Sequence, residues 1–124
     1  MDKPLKPLHW IASSLDDLRE LPDAVQDSFG YALHRAQEGA LHPSAKPLRG
    51  FGGAGVLEIV ENHEGNTFRA VYTVKFALAV YVLHVFQKKS KKGIATPPAD
   101  LNLIKSRLKT AADDYAKTYG RKKP

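Results

Sequence analysis

Asn66-Thr-Phe-Arg-Ala-Val-Tyr-Thr-Val-Lys-Phe-Ala-Leu-Ala-Val-Tyr-Val-Leu-His-Val-Phe-Gln-Lys-Lys-Ser-Lys-Lys-Gly93 is the stretch on which the reading of this chain turns. Its β-branched and aromatic residues spell two strands joined by a short turn near 76–79. The first strand holds one interior arginine, Arg69, and the second one histidine, His84. Four lysines then fall within five residues: Lys88, Lys89, Lys91 and Lys92. An even-numbered turn sets odd positions of the first strand against even positions of the second, and opposed residues share a face. Phe68, Ala70, Tyr72 and Val74 then join Ala79, Tyr81, Leu83 and Val85 on an apolar face suited to helices. Arg69, Val71, Thr73 and Lys75 join Val80, Val82, His84, Phe86 and Lys88 on a mixed face. That second face is expected to stay at least partly open, because burying its charges unpaired is costly.

Working outward towards the N-terminus, Val56–Glu61 is a strand by β-branching. His63-Glu-Gly-Asn66 turns it back onto the next strand. Residues 40–55 are rich in Pro and Gly, and within them Lys46-Pro-Leu-Arg49 fits a short edge strand carrying two cations. Before these come a short strand at Leu8–Ala12, a short helix capped at Ser13-Ser14, and a second helix over about 23–38. Val25, Phe29, Ala32, Leu33 and Ala36 give that helix one apolar stripe, and Gly39 ends it. Towards the C-terminus, Thr96 is placed to cap a helix opened by Pro97 and Pro98 and running to about 118. Its stripe is Leu101, Ile104, Leu108, Ala111 and Tyr115. The sum is an α+β fold: two N-terminal helices and a C-terminal helix around a small, mostly antiparallel sheet. One domain is expected over 1–119, with a disordered basic tail at 120–124.

The composition excludes several classes. With no cysteine there is no disulfide, thiolate metal site or cysteine nucleophile, which suits a reducing cytoplasm. No signal-peptide core or membrane-length apolar run is present, so the expectation is a cytoplasmic protein. Net charge is +6, from 19 basic and 13 acidic side chains, and it is concentrated at Lys88–Lys92 and Arg121–Lys123. Positive charge gathered in this way suits a polyanion, since phosphate contacts release counterions. The plainer reading is a solubilising surface.

The chemistry follows by elimination. Gly50-Phe-Gly-Gly-Ala-Gly55 lacks the Lys-Ser pair and the following helix of a phosphate loop. His9, His34, His42, His63 and His84 lack the spacing of a zinc site, so no metal and no cofactor is expected. There is no serine elbow. What remains is Arg69, His84 and Lys88 on one sheet face. A salt bridge from Arg69 to Glu58 or Glu61 on the neighbouring strand is the plain alternative for the arginine, and core packing is the plain one for His84. Functionally, arginine's planar fork suits phosphate. Metal-independent RNA cleavage fits such a set: the 2′-hydroxyl attacks the adjacent phosphate, cations stabilise the charge, and a histidine, lysine, tyrosine or glutamate moves protons.

Lys46-Pro-Leu-Arg-Gly50, Val56-Leu-Glu-Ile59, Thr67–Val74 and Tyr81–Pro97 together resemble the phage-related, HigB-like branch of the RelE/ParE toxin superfamily, over about residues 8–112. The resemblance implies a RelE-like fold and the toxin of a type II toxin–antitoxin pair. Such toxins are ribosome-dependent mRNA endonucleases that inhibit translation, and a cognate helix-turn-helix antitoxin neutralises them. Carried over by position, Arg69 is the expected phosphate clamp and Lys88 and Lys89, with Lys91 and Lys92 following, are the basic strand end; His84, from the shared sheet face, and Glu58 complete the catalytic candidates. Lys46, Arg49, Lys89, Lys91 and Lys92 are the RNA-binding candidates, and ribosome and mRNA are the partners. Glu58 stands where many ribonuclease members carry lysine, so a glutamate base and absent cleavage are both open. The alternatives are a non-catalytic RNA- or protein-binding module on this fold, and a ParE-like gyrase inhibitor.

Overall fold

Strand-forming residues are densest between Val56 and Lys88. They build three long antiparallel strands in the computed structural model, which describes residues 4–53, 55–88 and 96–120. In chain order the elements are β1 (Leu8–Trp10), α1 (Ser14–Arg19), α2 (Asp23–Gln37), β2 (Lys46–Pro47), β3 (Val56–His63), β4 (Asn66–Thr73), β5 (Val80–Lys88) and α3 (Pro98–Thr118). The sheet order is β1-β5-β4-β3-β2, antiparallel except for the parallel pairing of β1 with β5. The expected α+β architecture, with a mostly antiparallel sheet between N- and C-terminal helices, is what forms.

Glu64 and Gly65, with φ of 48° and 82°, make the two-residue turn between β3 and β4. Two positive φ values match the right-handed twist of the flanking strands. Gly39 (φ 84°) ends α2 as expected. At α3 the expected cap moves by one residue: Pro97 occupies the N-cap and Pro98 the first turn. Thr96 is buried instead and does not cap the helix.

The β4–β5 pairing decides which side chains meet. From Thr67↔Lys88 to Val71↔His84 the register is the expected one, and Arg69 lies opposite Phe86. Past Val71 the register slips, and Tyr72 pairs with Val82. Leu83 is thus the extra residue of a β-bulge, and two consecutive β5 side chains turn to one side. The assignment of β5 residues is corrected accordingly. Val80 and Val82 lie with Phe68, Ala70 and Tyr72 against α1 and α2, whereas Ala79, Tyr81 and Leu83 lie with Val71 against α3. A one-residue slip exchanges faces for everything beyond it.

The expectation of an open mixed face is also corrected. α3 packs across it through Ile104 and Ala111, both 0% exposed, and leaves Arg69 and His84 buried at 5% and 7%. The α1–α2 side is an apolar layer centred on Val25, Phe29, Ile59 and Tyr72. Each of those side chains removes roughly 1.5–3 kcal/mol worth of apolar surface from water.

Candidate functional site

The antiparallel register puts Glu58 opposite Val71 and Arg69 opposite Val60, so Glu58 and Arg69 sit diagonally on the face towards α3. Arginine's length closes the diagonal. Its Nη1 donates to Glu58 Oε1 at 2.6 Å, and the side chains are 6% and 15% exposed. Glu61 points to the opposite face, where it accepts a hydrogen bond from Ser28 on α2 at 2.8 Å. Of the two carboxylates within sequence reach, the face alternation thus selects Glu58.

His84 lies two positions from Phe86, the residue opposite Arg69, and its ring stacks on Phe86 at 4.3 Å and 13°. Its Nε2 meets Asp100 Oδ1 at 2.8 Å, and its Nδ1 faces Arg107 Nη1 at 3.5 Å. Arg107 also donates to the carbonyl of the bulge residue Leu83 at 3.0 Å. A guanidinium beside Nδ1 leaves that nitrogen as an acceptor, so Nε2 carries the proton given to Asp100. Burial lowers the His84 pKa from 6.5, and Arg107 pushes the same way, outweighing the opposite pull of Asp100. His84 is therefore a neutral imidazole at neutral pH, with a carboxylate at one nitrogen and a cation at the other.

Lys88 closes the row at the end of β5, half-buried and opposite Thr67. Lys46 pairs with Glu58 across the β2–β3 edge, and both Lys46 and Arg49 are exposed. Beside them a cavity of about 410 Å³ opens between β2 and the start of α3, lined by Lys46, Leu48, Arg49, Glu58, Thr96 and Leu101 among others. Arg69, Glu58, His84 and Lys88 thus share one sheet face, with Lys46 and Arg49 at its edge. Lys89, Lys91 and Lys92 lie outside the described residues. Among the described residues no group of three or more His, Cys, Asp or Glu could hold a metal ion, and no helix is long and apolar enough to cross a membrane.

Tyr72 is 1% exposed on the other face, and burial pushes its pKa up to about 12. Its phenol stays protonated, away from Arg69. Asp100 and Arg107 are not among the site residues expected from the sequence, yet both reach His84. Their signal is the spacing 100–107–114, a polar ridge beside the apolar one. All three members reach β5, with Asp114 accepting from Tyr81 at 2.6 Å.

What such a sheet can do depends on the company it keeps among known proteins. No curated protein sequence matches this chain at a significant level. Among solved structures, a double mutant of the E. coli toxin RelE in the free state superposes with a TM-score of 0.55 at 18% identity, covering 86% of this chain and 97% of RelE. The isolated E. coli RelE toxin in another crystal gives 0.53 at 20% identity, covering 82% and 97%. Both share the three-helix, five-stranded architecture described above. Residues 16–109 match the family described as phage-derived protein Gp49-like (DUF891). The chain belongs to that Gp49-like family and carries the RelE-like toxin fold.

Proposed function

We propose that this protein is the toxin of a type II toxin–antitoxin pair, a ribosome-dependent endonuclease that cuts mRNA and so inhibits translation. One observation carries the reading: Arg69, Glu58, His84 and Lys88 converge on one face of a RelE-like sheet, with Lys46 and Arg49 exposed at its edge. Family membership supports the toxin class. The partners on this reading are a helix-turn-helix antitoxin, the ribosome and mRNA.

The residues divide the work by their chemistry. Lys46, Arg49 and Lys88 draw the phosphate backbone to the face. On this reading the Arg69 guanidinium stabilises the negative charge that builds on the scissile phosphate when the 2′-hydroxyl attacks. His84, neutral at pH 7 and held by Asp100, serves as the proton acceptor on this reading. Glu58 orients Arg69.

The test is induction in bacteria with mapping of mRNA 5′ ends. The expected result is growth arrest with cuts inside translated codons. Arg69→Lys, which keeps the charge and the Glu58 pairing but loses the planar fork, is expected to slow cleavage roughly 10²–10³-fold. Healthy growth under strong expression of the folded protein would reject the reading. A second reading, a non-catalytic RNA- or protein-binding module, is favoured by the 2.6 Å pair that neutralises Arg69 inside the protein. It predicts salt-sensitive RNA binding with no cut ends. DNA cleavage complexes in place of cut mRNA would point to the gyrase-inhibitor branch.

A further inference from the structure

The cavity between β2 and the start of α3 has walls of two kinds. Pro47, Leu48 and Leu101 are apolar, while Glu58 and Thr96 are polar and largely withdrawn from solvent. Lys46 and Arg49 are the exposed cations of the same lining. Thr96 is 8% exposed, and among the described residues its hydroxyl has no hydrogen-bond partner. Buried hydroxyls nearly always have one, and leaving one unpaired is destabilising. Glu58 gives Oε1 to Arg69, yet a carboxylate has about four lone-pair sites, so it retains acceptor capacity. An apolar slot with an acceptor, an unpartnered hydroxyl and outer cations is the surround of a flat heterocycle attached to phosphate.

We propose that this cavity takes a guanine base of the bound RNA, which makes Glu58 and Thr96 specificity-determining residues. The inference rests on the RNA reading of the face and names what its pocket selects. A carboxylate only accepts, so the base must present N–H groups. Guanine presents N1–H and the N2 amino group side by side, with O6 beyond them for the Thr96 hydroxyl. Uracil offers one N–H flanked by two carbonyls that a carboxylate repels, and adenine and cytosine each pair one amino group with an acceptor nitrogen. The flanking phosphates fall to Lys46 and Arg49. At about 410 Å³ the cavity lies within the range of small-molecule sites.

Calorimetric titration of the intact protein with guanosine, adenosine, cytidine and uridine 5′-monophosphates tests this. The guanine nucleotide is expected to bind about tenfold or more tighter than the uridine one, because a site that hydrogen-bonds its ligand strongly rejects analogues lacking the groups. Glu58→Gln keeps an oxygen for Arg69 but turns an amide N–H to the cavity, and is expected to abolish the guanine preference. Thr96→Val removes the hydroxyl while keeping the branch. It is expected to weaken guanine-nucleotide binding several-fold while leaving the melting temperature equal or higher. Equal affinity for all four nucleotides, no binding of any at millimolar concentration, or a guanine preference that survives Glu58→Gln overturns the proposal. These readouts need neither ribosome nor cleavage. A lost preference therefore leaves the endonuclease reading to its own test, and absent cleavage with the preference intact removes that reading alone.

Discussion

Arg69 shows how much a single residue's meaning depends on its neighbour. Alone in a strand it is a cation waiting for phosphate; beside Glu58 it is half of a buried pair. Removing one partner of such a pair takes the close counter-charge from the other in a site shielded from water. Glu58→Ala is therefore expected to destabilise the fold by roughly 3–5 kcal/mol, and Glu58→Gln, which keeps an acceptor, by less. Chemical denaturation of the two variants checks the order. His84 makes a prediction with a sign. Its folded pKa is lowered from 6.5, so the unfolded chain takes up the proton first. The contribution is intact above about pH 6.5 and is lost as pH falls towards the lower folded value. Melting temperature should drop between pH 7 and 5, and His84→Gln should flatten that slope; an equal slope in the variant would place the titrating group elsewhere.

At the level of elements, two turns carry backbone demands that the fold cannot relax. Gly55 has φ of 71°, its carbonyl accepts from Val74 N at 2.9 Å and Thr73 Oγ1 at 3.0 Å, and an added Cβ would lie 3.0 Å from the Lys75 backbone nitrogen. Gly55→Ala is expected to cost about 2 kcal/mol or more, since both the backbone conformation and the space forbid a side chain. Glu64 sits at φ 48° in the β3–β4 turn, where asparagine is at ease. Glu64→Asn should gain roughly 1 kcal/mol, read as a higher melting temperature. The β4–β5 connection is built differently. It has no Gly-Asp pair, and its Phe76 stacks on Tyr115 at 4.6 Å while Leu78 N donates to the Tyr115 hydroxyl at 3.1 Å. That turn is held by α3 rather than by its own residues.

Across the whole molecule, α3 is the second lid of the sheet. Asp100 to His84, Arg107 to the Leu83 carbonyl, Tyr81 to Asp114 and His9 to Tyr119 pin it along β5 and β1. Both sides of the sheet bury an apolar cluster, and the α3 side adds Glu58, Arg69, His84, Asp100 and Arg107 to it. With a net charge of +6, RNA affinity should fall with salt. Lys46→Ala and Lys88→Ala should each reduce the slope of log affinity against log salt by about 0.7, the value for one lost contact to a single strand. Anisotropy titrations with a short single-stranded RNA measure this, and two unchanged slopes would move the RNA path off this face.

Local patterns determined the elements, because they depend on neighbours in the chain. The stripe Val25–Phe29–Ala32–Leu33–Ala36 made α2, β-branching made β3 to β5, and the run from Asn66 to Val71 against His84 to Lys88 already set Arg69, His84 and Lys88 on one face. Tertiary structure decided the rest. The bulge at Leu83 exchanged the faces of Ala79 to Leu83, and its carbonyl is held by Arg107 from a helix 24 residues away. Whether Arg69 met Glu58 or Glu61 followed from β3–β4 register, and the burial of His84 followed from where α3 lay down. Thr96 changed from helix cap to cavity wall by a shift of one residue. Each of these turns on contacts between segments distant in the chain, where a single-residue slip reverses every side chain beyond it. Periodicity within a segment records which residues share its faces; which partner a face receives is settled only when the segments pack.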